Sequence, residues 1–161
     1  MLKTREEIQK WLHQSGYTLS DYRIGDDGVV NVICHWDYGG RMETELPFQF
    51  GRIEGDFKCD NSRLVNLVGV PHTVDGMFTC SHSHVASLDH VPSRVGGNFC
   101  CFDTKIKSLA GISDHVKYVG GVFSCAPIVS HMLGLLLISG IRRIDTGGHP
   151  VEAILNRHLV T

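Results

Sequence analysis

Gly55-Asp56-Phe57-Lys58-Cys59 returns as Gly76-Met77-Phe78-Thr79-Cys80 and again as Gly97-Asn98-Phe99-Cys100-Cys101, each time after 21 residues. A fourth copy, Gly121-Val122-Phe123-Ser124-Cys125, follows after 24. A fixed period of this length marks a solenoid, in which each repeat is one coil that buries its apolar side only against the coils beside it. The rest of each coil keeps step. Phe57, Cys59, Leu64, Leu67, Val70 and Val74 form one inward set, and Phe78, Cys80, Val85, Leu88, Val91 and Val95 the next. Phe99, Cys101, Ile106, Leu109, Ile112 and Val119 form the third. Like stacks on like, about 4.8 Å apart where neighbouring strands pair in parallel.

Working outward, a step of 21 residues back from Phe57, Cys59 and Leu67 lands on Trp36, Tyr38 and Leu46, a degenerate first coil. Gly96-Gly97 and Gly120-Gly121 mark the corner before each Phe strand, and Pro71 and Pro92 fall at one register after the leucines. The three extra residues of the last coil, around Ser113 to Lys117, read as a surface loop. Before the coils, Thr4 and Glu7 form a capping box ahead of Ile8, Trp11 and Leu12, which predicts a helix over 4–14. A turn at Gly25–Gly28 and a strand at Val29–Ile33 follow. After Cys125 the repeat dissolves. Pro127 replaces a turn residue, Val129–Leu137 reads as a buried closing segment and Ile141–Ile144 as a short strand. Pro150 opens a helix whose Val151, Ile154, Leu155, His158 and Leu159 share one face. The expected architecture is a single α/β repeat-solenoid domain over 1–161. It has an N-terminal cap (1–35), coils of about 21 residues sharing one parallel sheet (36–126), and a C-terminal cap (127–161), with a helix at each end.

The pattern Phe57-x-Cys59-x-x-Ser62-x-Leu64-x-x-Leu67 resembles the core of leucine-rich repeats in a short bacterial form. The fuller unit, Val-x-Gly-x-Phe-x-Cys followed by two leucines and a proline, is similar to repeat proteins encoded by tailed phages and prophages. The segment from Glu152 to Leu159 resembles the C-terminal helix that such proteins carry. The chain departs from the leucine-rich pattern at its asparagine ladder, where Ser62, Ser83 and Thr104 stand instead. The resemblance implies a solenoid that binds a protein, without catalytic residues, and a phage-type protein that modulates a host protein. Inhibition of host defence or of host gene expression is one example.

Composition narrows the field. With 15 basic and 17 acidic residues the net charge is −2, which indicates neither a nucleic-acid binder nor a mimic of nucleic acid. No apolar run approaches the roughly 20 residues that span a bilayer. The opening Met1–Glu7 is charged and lacks a signal's apolar core, and six cysteines in such a chain read as reduced thiols. A cytoplasmic protein is therefore expected, in the host cytoplasm if phage-encoded, with no membrane partner.

The cysteine column Cys59, Cys80, Cys101 and Cys125 reads as small core residues, since metal ligands must converge whereas a ladder presents parallel side chains. Cys80, His82 and His84, with Cys100 facing outward, form the alternative zinc- or thiol-dependent site, but Cys80 would have to leave its column. No enzyme activity, cofactor or metal is expected. The outward positions of the Phe strand run from charged to apolar along the stack. Lys58, Met77, Thr79, Asn98, Cys100, Phe102 and Val122 are the expected protein-binding surface. Self-association into a homodimer, through this face or an incompletely covered end near Trp36, is the alternative use.

Overall fold

The computed structural model describes residues 1, 4–126 and 131–159. Its strands, in chain order, are β1 (Tyr22–Ile24), β2 (Val30–Val32), β3 (Trp36–Asp37), β4 (Phe50–Ile53), β5 (Phe57–Lys58) and β6 (Thr73–Val74). They continue as β7 (Phe78–Thr79), β8 (Arg94–Val95), β9 (Phe99–Cys100), β10 (Tyr118–Val119), β11 (Val122–Ser124) and β12 (Arg143–Asp145). Three α-helices accompany them, α1 (Arg5–Gln14), α2 (Ile112–His115) and α3 (Val151–His158), with a 3₁₀ stretch at Met132–Leu137.

The chain winds as a parallel β-solenoid, and each coil contributes a strand to each of two sheets. One sheet orders β3-β5-β7-β9-β11-β12, all parallel, with Trp36, Phe57, Phe78, Phe99, Phe123 and Ile144 in one column. The other orders β1-β2-β4-β6-β8-β10, with Val32, Ile53, Val74, Val95 and Val119 in register. The expectation of one sheet is corrected here. The Val74 and Val95 positions, read only as core, are themselves strand residues. The parallel ladders also run beyond the repeat region, into β2 before it and β12 after it.

Every residue assigned to the three inward sets is buried. The aromatic column packs ring on ring, with centroids 5.9 Å apart for Phe57–Phe78, 5.1 Å for Phe78–Phe99 and 4.7 Å for Phe99–Phe123. Burial of each ring contributes roughly 1.5–3 kcal/mol. Between the sheets the chain turns a corner so tight that coils touch backbone to backbone. A Cβ on Gly96 would lie 2.1 Å from the Asp75 carbonyl oxygen, which excludes any side chain there.

Two residues after Tyr38, Cys59, Cys80 and Cys101 the chain reverses through a left-handed residue. Gly40, Asn61, His82 and Asp103 repeat this conformation, with φ of 69°, 53°, 52° and 50°. Asn and Asp tolerate it better than most residues. The next position inward holds the hydroxyl ladder. Ser62, Ser83 and Thr104 donate to the carbonyls of Cys59, Cys80 and Cys101 in their own coils. These hydroxyls close each turn locally, where an asparagine ladder was absent from the sequence.

The capping box at Thr4 and Glu7 is formed, and α1 buries Ile8 and Leu12. Trp11 lies 6.0 Å from Trp36, and Tyr17 stacks on Trp36 at 4.3 Å and 14°. The end near Trp36 is therefore filled by rings, which weighs against the alternative of an incompletely covered end there. The loop expected at Ser113–Lys117 is instead the short helix α2 and its exit, because Ile112 and Val116 both turn inward and draw the three inserted residues into a helical turn. The expected Pro127 turn lies outside the described residues, as does the start of the Val129–Leu137 segment. Within that segment Met132 and Leu135 are buried, but Leu133 and Leu137 are 73% and 75% exposed, so it closes the core with one face only. In α3 Leu155 is buried, while Ile154 and His158 are exposed.

Candidate functional site

The outer face of the Phe sheet carries a shallow groove of about 300 Å³, lined by Lys58, Asp60, Met77, Thr79, Ser81, His82, Cys100 and Phe102. Its shape follows from the side chains that three successive coils place at matching registers. Lys58, Thr79 and Cys100 pair along the sheet. The middle coil contributes the short Thr79 and Ser81, and the flanking coils the longer Lys58, Asp60 and Phe102. Small residues between large ones leave a trough. Thr79 is only 7% exposed and Ser81 1%, so both form the floor rather than the outward surface expected of Thr79. They hold each other through a hydroxyl contact, Thr79 Oγ1 to Ser81 Oγ at 3.3 Å.

One wall is aromatic. Phe102 meets His82 edge to face, with centroids 4.9 Å apart and rings at 90°, and His82 Nδ1 lies 2.9 Å from Asp103 Oδ2. His82 projects here because its left-handed backbone turns it over the next coil, and the His82 N–H donates to the Phe102 carbonyl at 3.1 Å. Met77, half-buried, supplies a second apolar surface.

Of the expected surface, Lys58, Met77, Thr79, Cys100 and Phe102 gather in this groove. Asn98 and Val122 do not line it. The Asn98 side-chain oxygen instead accepts the Val122 N–H at 2.9 Å, and Asp56 does the same for Met77 at 2.7 Å. These are brackets between coils. Asp60, Ser81 and His82 are the groove members outside the expected set. Asp60 and Ser81 stand in the same outward column as Phe102, which was the signal that places them.

The thiols are arranged for burial. Burial pushes the Cys80 thiol up to about 12, with Cys100 nearby adding to the effect. Cys59 and Cys101 are raised by burial as well. At Cys100 burial again raises the thiol, and the carboxylates of Asp145 and Asp60 raise it further. A nucleophilic cysteine needs the opposite environment. Cys80 is fully buried while His82 and His84 are exposed, so these three do not converge. Among the described residues no group of three or more His, Cys, Asp or Glu side chains is placed to hold a metal ion.

A larger depression of about 560 Å³ lies where Val70–His72, Asp89–Ser93 and Asp114–Lys117 approach one another. Its rim mixes His72, His90, His115 and Lys117 with Asp89 and Asp114. The smaller groove also carries charges of both signs, Lys58 and Asp60, and sets them beside the apolar Phe102 and Met77. Among the described residues no helix is long and apolar enough to cross a membrane. No protein family, curated protein or solved structure matches the chain.

Proposed function

We propose that the chain is a non-enzymatic protein-binding solenoid that engages its partner through the Phe102–Met77 groove. We further propose that it is a cytoplasmic, leucine-rich-repeat-like protein of the kind encoded by tailed phages and prophages, that its terminal helices act as caps, and that its partner is a host protein whose activity it modulates. The observation that supports binding is the combination in one groove of an aromatic wall, a half-buried methionine and a floor of buried hydroxyls. Interfaces draw most of their energy from a few such anchors surrounded by polar contacts. The phage-type reading rests on the repeat unit alone. The elevated Cys100 thiol and the separation of Cys80 from His82 and His84 weigh against a thiol- or zinc-dependent activity.

The test is paired capture. Phe102→Ala and Met77→Ala leave both strand ladders and the Phe column untouched, so each variant keeps the wild-type melting temperature within a few degrees. Each is expected to bind the partner captured by wild-type protein at least about tenfold more weakly, the loss typical of an interface anchor. Full-strength capture by both variants removes the groove from consideration. Mass measurement on the unmixed protein separates this reading from self-association, which predicts a homodimer lost in the same variants.

A further inference from the structure

Every coil of the Phe sheet offers the next coil the same set of groups. Trp36, Phe57 and Phe78 donate their N–H to the carbonyls of Asp56, Met77 and Asn98 at 2.8, 2.8 and 2.9 Å. Two residues on, Tyr38, Cys59 and Cys80 donate to Lys58, Thr79 and Cys100 at 2.7, 2.9 and 3.0 Å. Two further on, Asn61 and His82 donate to Ser81 and Phe102, each at 3.1 Å. In the last rung the corresponding residues are Ile144 on β12 and Thr146 and Gly148 just after it, and among the described residues no strand lies beyond them. An uncovered edge of this kind is a template for another strand.

One helix supplies the missing partners. Asn156 Oδ1 accepts the Ile144 N–H at 2.7 Å, and Asn156 Nδ2 donates to the Ile144 carbonyl at 2.9 Å. A single amide side chain thus meets both main-chain groups that a following strand would meet. Four residues earlier on α3, Glu152 Oε2 accepts the Thr146 N–H at 2.8 Å, the Thr146 hydroxyl at 3.0 Å and the Gly148 N–H at 3.4 Å. The i, i+4 spacing sets both side chains on one face of the helix.

The opposite end is closed by different means. The Tyr17 ring lies on Trp36 where a preceding rung would lie, and its hydroxyl accepts the Asp37 N–H at 3.4 Å. Asp37 Oδ1 takes the Gly39 N–H at 2.8 Å. That closure belongs to the aromatic core, whereas the closure over β12 rests on two polar side chains and the buried Leu155.

We propose that Glu152 and Asn156 form a lock over a homotypic interface, and that without them the β12 edge of one molecule pairs with the β12 edge of a second copy. The partner edge must be β12 because Tyr17 occupies the other end. Two such edges meet only when one molecule is turned end for end, so the strands run antiparallel. The contact is self-complementary and closes as a two-fold dimer in which, among the described residues, the Phe sheet has no uncovered edge left to extend it.

The experiment compares the wild-type chain with E152A/N156A by sedimentation equilibrium over a range of concentrations and by amide exchange. The double variant is expected to reach twice the wild-type mass as concentration rises. At low concentration its Ile144 and Thr146 amides are expected to exchange at least about tenfold faster, with Phe57, Phe78 and Phe99 as protected as before. E152Q retains an acceptor oxygen and is expected to stay at wild-type mass. Unchanged mass with unchanged Ile144 and Thr146 exchange overturns the lock, and open-ended growth of mass overturns the two-fold pairing. Should the double variant unfold, N156A alone, with Glu152 and Leu155 in place, is read by Ile144 exchange, and full protection there overturns the proposal.

Discussion

Two oxygen atoms show how closely successive coils are fitted. The Asp75 carbonyl lies where Gly96 would carry a side chain, and the Asn98 side-chain oxygen lies 2.3 Å from where Gly121 would carry one. Gly96→Ala therefore forces two backbones apart. It is expected to destabilise the protein by about 1–3 kcal/mol or more, as overpacking does, measured as a lower urea midpoint at unchanged slope. The same crowding explains what the sequence leaves unread at Asn98, which is exposed as expected but also bridges to Val122. Alternation correctly places it on the outward side of the Phe strand, but outwardness does not distinguish a side chain that faces a partner from one that folds onto the next coil. The depth of Thr79 at the groove floor was not legible for a related reason, since exposure depends on the neighbours' size as well as on register. The Phe and Cys columns were fully legible because residue type and spacing agreed over four repeats.

At the scale of elements, two-residue strands are too short to show alternation, so the second sheet could be seen only as buried valines. The inserted turn α2 was hidden because three residues carry no helical period. The capping box of α1 was readable because its signal is local. For α3 the apolar face was read only in part, since Leu155 is buried but Ile154 and His158 are exposed. The polar contacts by which Glu152 and Asn156 hold it to β12 were not read. The Thr146 N–H, the Thr146 hydroxyl and the Gly148 N–H hold the Glu152 carboxyl below the usual carboxylate range, with Arg143 assisting. A carboxyl depressed in the folded state stabilises it fully above the unfolded value, near 4.5, and the benefit is lost as pH falls through the folded value. Acidification from pH 6 toward pH 3 is therefore expected to lower the protection of the Thr146 amide, its exchange rate being taken relative to an unstructured peptide at the same pH, before it lowers that of Phe78. The E152Q variant should show a smaller acid dependence, and equal dependence in the two proteins would contradict the assignment.

For the whole molecule, each coil touches only its neighbours, so the effect of a lesion depends on where it falls. Phe78→Ala removes a ring from the middle of the column, where rings pack on both sides, and is expected to cost about 3–5 kcal/mol. Leu155→Ala is expected to loosen the last rung by local opening, leaving protection of Phe57 and Phe78 intact. Amide exchange across the Phe column separates these cases. Uniform loss of protection in both variants would mean that the coils unfold only together.

Because Phe57, Phe78 and Phe99 stand in the same register on identical ladder bonds, length is an adjustable dimension of this protein. Excising residues 76–96, or copying them once, joins a corner to an equivalent corner and leaves both termini their original neighbours. Such a chain would be a shorter or longer ruler with the same ends. The reach of its outer face would change in steps of one coil, about 4.8 Å.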